Sequence, residues 1–598
     1  MNASVLLQPE SVAQPCRNFC ILGKTSLIDP LDGREKFVLS NFAAHATGNI
    51  VLIDVETGVG ESILLPGDSG AWALYNWDNE KLIVGTCPGK GYVHSLDLRS
   101  RTWAEPLRDD NETYVWNFTC GEDGMLYGST YPGCVLLRYD PVAHVLTNMG
   151  KMSDNPKNMY SRTVGAVPGH IIVTGGMDEV FVTAWNMETQ ERRLVHKTND
   201  LAMIVETNEQ YFSIKSGKEM LYFDSKTFEP LAADSVEVRR GAVEVKLGPS
   251  QRGEAIPLAS GIYVGVRGQD YFVASGAGDS PGLQRIPVEA PATHIFGLTI
   301  APDGCVWGSS GFGQTIFKYD PRDGSYWNSS VVCNGGGEVY GMQFVGERLF
   351  LTAYSGGDHI VYDPSKPWDQ LGNVNPRTLQ SVGPDWIRPL GHSIVGPDRA
   401  IWTGWSAKYG VYGGGITRLD TDTLELTRWA NPLATQHVSS LAADDRYVYF
   451  VSTLGGNGLA AQDEVCHFGV LTTGGDVVYS EALPNGAKAG KLAACGGRVW
   501  LAVDEALRVF DPDALRFVDG GDVALGRRAT GFCAVSEREL LVFVPDELLV
   551  LDTASGRCEA RAALPGIVDK ASVTPDRKQL YFGIGTTLYT LPLQALLG

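Results

Sequence analysis

The chain has 598 residues and a formal net charge of −20, with no cluster of Lys or Arg. A surface that acidic repels nucleic acid and anionic lipid, so neither partner is expected. The length exceeds one compact core, the 70 glycines supply the positive φ that tight turns need, and no apolar run is long enough for a bilayer span. These features describe an all-β protein with no membrane partner.

The first twenty residues lack the basic start and continuous apolar stretch of a secretory signal, so the expected location is cytoplasmic. An Asp or Asn closing a short apolar run then returns about every 43 residues, at Asp54, Asp97, Asp140, Asn186 and Asp224. The series resumes at Asp320, Asp363, Asp420, Asp511 and Asp552. Two copies nearly superimpose: Asp123-Gly124-Met125-Leu126-Tyr127-Gly128-Ser129 leads to Tyr139-Asp140, and Asp303-Gly304-Cys305-Val306-Trp307-Gly308-Ser309 leads to Tyr319-Asp320. A period of roughly 40–45 residues built from several strands and tight turns is that of β-propeller blades.

The unit around Asp140 predicts four strands, 115–120 innermost, then 125–130, 134–140 and 145–149 outermost. The marker gap doubles between Asp224 and Asp320 and again between Asp420 and Asp511, which places one degenerate blade in each. With a last unit at 579–591 the count is about thirteen, above the roughly four to eight blades of one ring. The expectation is two tandem β-propellers of six to seven four-stranded blades each, an N-terminal one over 1–290 and a C-terminal seven-bladed one over 291–598. The boundary falls near the Pro-containing stretch 286–293, and 233–285 is irregular enough to suggest an insertion. Such rings often close with a strand from the far chain end, so a terminal strand is free to belong to the other ring.

The Asp markers are read as structural, since Asp before a turn accepts its backbone N–H groups. Tyr127, Trp307 and Trp402 are read as core aromatics. The eleven Cys residues show no CxxC pair and are expected to be reduced, with Cys134, Cys305 and Cys333 acting as small buried apolar residues. Gly413-Gly414-Gly415 lacks the strand-to-helix context of a phosphate loop, and neither a GxSxG elbow nor an HExxH helix occurs.

In a propeller, loops entering the inner strands share a face with loops between second and third strands, and ligands sit where these loops converge on the axis. In the second half, His294, Glu338, Arg388, His392, Gln436 and His437 are predicted to enter inner strands. Tyr354, His359, Trp405, Lys408, Tyr409 and Tyr412 are predicted in the second-to-third loops. The first half offers Lys90, Tyr92, Trp116, Asn117, Tyr131, Tyr160, Arg162, Asp178 and Glu179. Any one such His or Tyr more often satisfies channel backbone than does chemistry. Four of the ten His on one face of four consecutive blades is the stronger signal.

Aromatic platforms beside Arg, Lys, His and Tyr suit a small carbohydrate substrate. β-Elimination from a uronic acid needs a cation on the carboxylate, a base for the C5 proton and an acid for the leaving oxygen. Arg388 with Lys408 would neutralise the carboxylate, His392 or His437 would serve as base, and Tyr409 or Tyr354 as acid. His294, Glu338, His359, Trp405 and Tyr412 would hold the substrate.

The segment Tyr127-Gly128-Ser129-Thr130-Tyr131-Pro132-Gly133, followed by Leu136-Leu137-Arg138-Tyr139-Asp140-Pro141, resembles β-propeller polysaccharide lyases acting on oligogalacturonates, ulvan and rhamnose-glucuronate linkages. That resemblance implies His, Tyr and Arg on the axial face and, in the oligogalacturonate branch, a divalent metal on His and Gln ligands. His294, His392, Gln436 and His437 are the candidates for such a set. Two other classes remain open: a non-catalytic scaffold for protein partners, and a metal-dependent glycoside or lactone hydrolase using Glu338, Asn117 and Asn334.

Overall fold

A computed structural model describes residues 6–176, 179–236, 241–249 and 251–598. Thirteen antiparallel sheets follow one another along the chain, most of them four-stranded. Around Asp140 the strands are Tyr114–Cys120, Leu126–Tyr131, Val135–Asp140 and Val145–Lys151, each paired with the next. The two middle strands are buried almost throughout, because blades pack on both of their faces, whereas the outermost alternates between exposed and half-buried residues. Asp140 Oδ1 accepts the N–H groups of Val142 and Ala143, both at 2.9 Å, which closes the turn to the outer strand. Asp54, Asp97, Asp224, Asp420, Asp511 and Asp552 accept from the second and third residues beyond them in the same way.

Both doubled marker gaps hold a blade. The first contains a five-stranded sheet running from Val243–Lys246 to Gln284–Arg285, so residues 243–285 form a blade and not the expected insertion. The second contains His437–Ala443, Val448–Thr453, His467–Leu471 and Val477–Ala482, where Thr472 stands at the marker position.

The chain divides into two compact units, one of residues 6–18 with Ala292–Gly598, the other Phe19–Pro291. The latter holds six sheets and closes where Phe37, Leu39, Val51 and Ile53 pack on Leu258, Val264 and Tyr271. The former holds seven. Its last blade is completed by Glu10–Ala13, which pairs with Thr587–Pro592 as the outermost strand. Ring closure there packs Ile295, Leu298 and Phe317 against Tyr581 and Leu588. This is why residues 6–18 group with the later ring and not with the 1–290 expected from sequence. Where the chain leaves and re-enters the seven-bladed ring, Arg17 bridges Ala292, and Thr293 N–H donates to the Cys16 carbonyl at 3.0 Å.

All eleven cysteines are free, and Cys134, Cys305 and Cys333 are buried. Among the described residues no helix is long and apolar enough to cross a membrane.

Candidate functional site

The inner strands of the seven-bladed ring begin at one end of its axis, and five of the residues singled out from sequence meet there. Glu338 immediately precedes the inner strand Val339–Val345, Arg388 ends the short strand Trp386–Arg388, and His437 opens His437–Ala443. Tyr354 follows the second strand Arg348–Ala353, and Tyr409 lies in the loop after Ile401–Ala407. The backbone ties the first pair together, since Tyr354 N–H donates to the Glu338 carbonyl at 3.0 Å.

Arg388 organises the group. Its Nη2 donates to the Tyr409 hydroxyl at 3.1 Å, and its guanidinium carbon stands 4.3 Å from the centre of the Tyr354 ring. The two tyrosine hydroxyls share a hydrogen bond of 2.9 Å. Burial pushes the Tyr354 hydroxyl up to about 12, with the Tyr409 bond adding to the rise and Arg388 opposing it. Burial also raises Glu338 to about 7 against the pull of Arg388, and its Oε2 has no hydrogen-bond partner. Burial and then the Arg388 charge lower His437 to about 4, so its imidazole is neutral at neutral pH, and its buried Nε2 is likewise without a partner. The site thus joins one fixed cation, two linked hydroxyls, a neutral imidazole and a carboxyl that titrates near neutrality. Tyr340, two residues along the strand from Glu338, joins it electrostatically: burial and Glu338 raise its hydroxyl strongly. Tyr340 is the extra residue of a bulge between Val339 and Gly341, which is why counting along the strand does not single it out.

The other expected residues stand elsewhere. His359 is the second residue of Asp358–Tyr362 and is fully buried; its Nδ1 faces the Gln380 carbonyl at 3.2 Å and its Nε2 the Thr417 hydroxyl at 3.0 Å. Trp405, also fully buried, donates Nε1–H to the same Thr417 oxygen at 2.8 Å and packs on the His359 ring. With every polar atom satisfied, both are blade core and not substrate-binding groups. His392 lies between the two short strands Trp386–Arg388 and Ser393–Val395, its Nδ1 2.8 Å from the Tyr340 carbonyl, deeper along the axis than the Arg388 cluster. Burial, with the charges of Lys570 and Lys491, drives it well below the ordinary histidine range.

Tyr412 donates its hydroxyl to the Ala460 carbonyl at 2.9 Å, and His294 Nδ1 meets the Gly585 carbonyl at 3.2 Å. Lys408 is exposed beside Tyr409 and makes no ion pair among the described residues. Gln436 turns away from His437, donating to the Val465 carbonyl at 2.9 Å, so the suggested metal-ligand set does not converge. Among the described residues no group of three His, Cys, Asp or Glu side chains is placed to hold a metal ion. Asp178 lies outside the described residues.

No family model matches the sequence. No curated protein matches it either. Among solved structures the chain is similar to virginiamycin B lyase from Staphylococcus aureus with quinupristin, at 14% identity and a TM-score of 0.40, over 50% of this chain and 96% of that one. It is also similar to the extracellular domain of a one-component system from B. thetaiotaomicron, at 10% identity and a TM-score of 0.29, over 99% and 84%. A third is Kuenenia stuttgartiensis hydrazine synthase, at 12% identity and a TM-score of 0.39, over 51% and 97%.

Proposed function

We propose that the seven-bladed ring is a carbohydrate-active enzyme that cleaves uronate-containing oligosaccharides by β-elimination at the Arg388 cluster. One observation supports this above the rest: a buried His Nε2 and a buried carboxyl oxygen, both without partners, flank an arginine already bonded to a tyrosine pair. Buried polar atoms left unpaired are costly, so a site that keeps two of them beside a fixed cation is arranged for a polar, anionic ligand.

In this reading Arg388 pairs with the uronate carboxylate and stabilises the charge that develops on it as the C5 proton leaves. His437, neutral at neutral pH, accepts that proton. The C4–O bond breaks as the C4–C5 double bond forms, and Tyr409, polarised by the Arg388 and Tyr354 hydrogen bonds, donates its proton to the departing oxygen. Protonated Glu338 fits beside the carboxylate without repelling it, and its ionisation near pH 7 would then weaken binding on the alkaline side. Of the choices left open by the sequence, this reading takes His437, which feels the Arg388 charge, over His392, whose Nδ1 meets the Tyr340 carbonyl, as base, and Arg388 over the exposed Lys408 as carboxylate partner.

The test is ultraviolet absorbance of the unsaturated uronate formed when the protein is incubated with a panel of uronate-containing oligosaccharides. A rise that disappears in His437→Ala and survives a chelator is expected. No rise on any substrate, with no new reducing ends, would sink the enzymatic reading in favour of a scaffold.

A further inference from the structure

A cavity of about 220 Å³ lies along the axis of the seven-bladed ring, and the proposed elimination makes no use of it. The volume is far above the ~10–15 Å³ that a single water requires. Its walls come from the second to fourth residues of the inner strands, among them Tyr340, Ser440 and Lys491, and from His392 and Lys570. Two of these are lysines from different blades. Lys491 is the third residue of Ala489–Cys495, and Lys570 immediately precedes Ala571–Val573. Both line the same cavity.

Compensation for these charges is thin. Among the described residues the only carboxylate lining the cavity is Asp569, whose Oδ2 stays 3.8 Å from the Lys570 ammonium and whose side chain is half exposed. Lys491 makes no ion pair among the described residues. His392 adds no balancing charge: its Nδ1 faces the Tyr340 carbonyl, and burial with the two lysine charges keeps the ring neutral. Burial, then Lys491, lowers the Lys570 ammonium to about 7, with Asp569 opposing. A chain with 69 acidic residues has therefore brought two half-buried lysines to one axial cavity with a single carboxylate at 3.8 Å from one of them. Like charges in one cavity repel where water is scarce, and a ligand of opposite charge is what relieves them.

We propose that this cavity binds a tetrahedral oxyanion, phosphate or sulfate, between the ammonium groups of Lys491 and Lys570. Two donors from different blades suit an anion that presents oxygens in several directions, and Ser440 lines the same cavity. The oxyanion is either a free ion or an ester group on a larger sugar. The cavity shares Tyr340 with the Arg388 cluster but none of the groups that the elimination uses, so phosphate binding at the lysines can be read apart from that chemistry.

The experiment is isothermal titration of the full chain with inorganic phosphate, inorganic sulfate and a monosaccharide sulfate, with chloride at matched ionic strength as control. Saturable one-to-one binding is expected for at least one oxyanion, weakened on the order of tenfold or more in Lys570→Met and in Lys491→Met. Without oxyanion, both variants should melt no lower than the wild type, because each removes a repulsion. Affinity should fall as pH rises through about 7, as Lys570 loses its proton; the titratable groups facing it are Lys491, His392 and Asp569. Tighter binding of the sugar sulfate than of the free ion assigns the site to an ester. Absence of saturable binding in the wild type, or equal affinity in both variants, overturns the proposal. Should Lys570→Met fail to fold, Lys491→Met on the other blade carries the test.

Discussion

The same residue types gather at the corresponding ends of the two rings, with opposite outcomes. In the six-bladed ring, Arg162 stands 4.9 Å from the Trp116 ring centre and 4.7 Å from that of Tyr160. Tyr114 stacks on Trp116 and Tyr131 packs on Tyr160, so the aromatic groups are spent on one another. A buried glutamate is present as well, two residues ahead of the inner strand Tyr114–Cys120, and Glu112 Oε2 accepts the Gly133 N–H at 3.0 Å. In the seven-bladed ring, Glu338 occupies the equivalent approach to its strand with Oε2 unpaired, and Arg388 has one aromatic face and one hydroxyl in place of two rings. Composition does not separate the two ends, and neither does one unpaired atom, since the buried Trp116 Nε1 of the six-bladed ring also lacks a partner. The difference lies in the carboxyl, bonded at Glu112 and unpaired at Glu338.

That contrast can be broken by substitution. Arg388→Ala should lower kcat/KM for uronate cleavage by on the order of 10³, as expected for removing a preorganised charge partner. Arg162→Ala, assayed at a temperature where it is folded, should leave that rate unchanged. Tyr409→Phe should cost about 10², mainly in kcat, because it removes the proton donor while leaving the ring in place. An equal loss from Tyr160→Phe would dissolve the distinction between the two ends.

Smaller effects appear in stability. His359→Ala should destabilise the fold by about 2–3 kcal/mol in denaturant titration, since it strips partners from Gln380 and Thr417 in the core. His437→Ala, whose Nε2 has no partner to lose, should unfold close to the wild type while losing activity. Glu338 gives a pH signature. Its carboxyl moves from an ordinary 4.5 to about 7 on folding, so the protonated form is favoured in the native state. Its stability contribution is full below pH 4.5 and is lost as pH rises through 7. Glu338→Gln should therefore come close to the wild type at pH 4.5 and exceed it at pH 8, by about 3 kcal/mol. Glu112→Gln should show a gain of the same sign, because burial raises that carboxyl too, with the Gly133 N–H opposing the rise.

The blades were legible because one side chain does one job at each turn. Asp140 and its counterparts bind two backbone N–H groups, so the period survives wherever that turn does and fades where Thr472 replaces it. Sorting polar residues by loop recovered Glu338, Tyr354, Arg388, Tyr409 and His437, since strand ends are positions that turn residues mark well. It failed at His359 and Trp405, which lie inside their strands. A shift of a few residues carries a side chain from the axial opening into the packing between blades. His392 failed for another reason: the inner strand of its blade is interrupted between Arg388 and Ser393, so counting along it misplaces every residue past the break. Lys491 and Lys570 left no mark at all, because only ring closure brings residues so far apart in the chain to one cavity.

The pairing of Glu10 with Thr590 gives the chain an unusual schedule. Synthesis proceeds from the N-terminus, so Glu10–Ala13 must wait until Thr587–Pro592 has been made before it can pair. The six-bladed ring, whose residues are contiguous between the two halves of that pair, is free to form during the wait. Ribosome-bound chains arrested before residue 587 should therefore display Glu10–Ala13 to protease while the six-bladed ring is already protected.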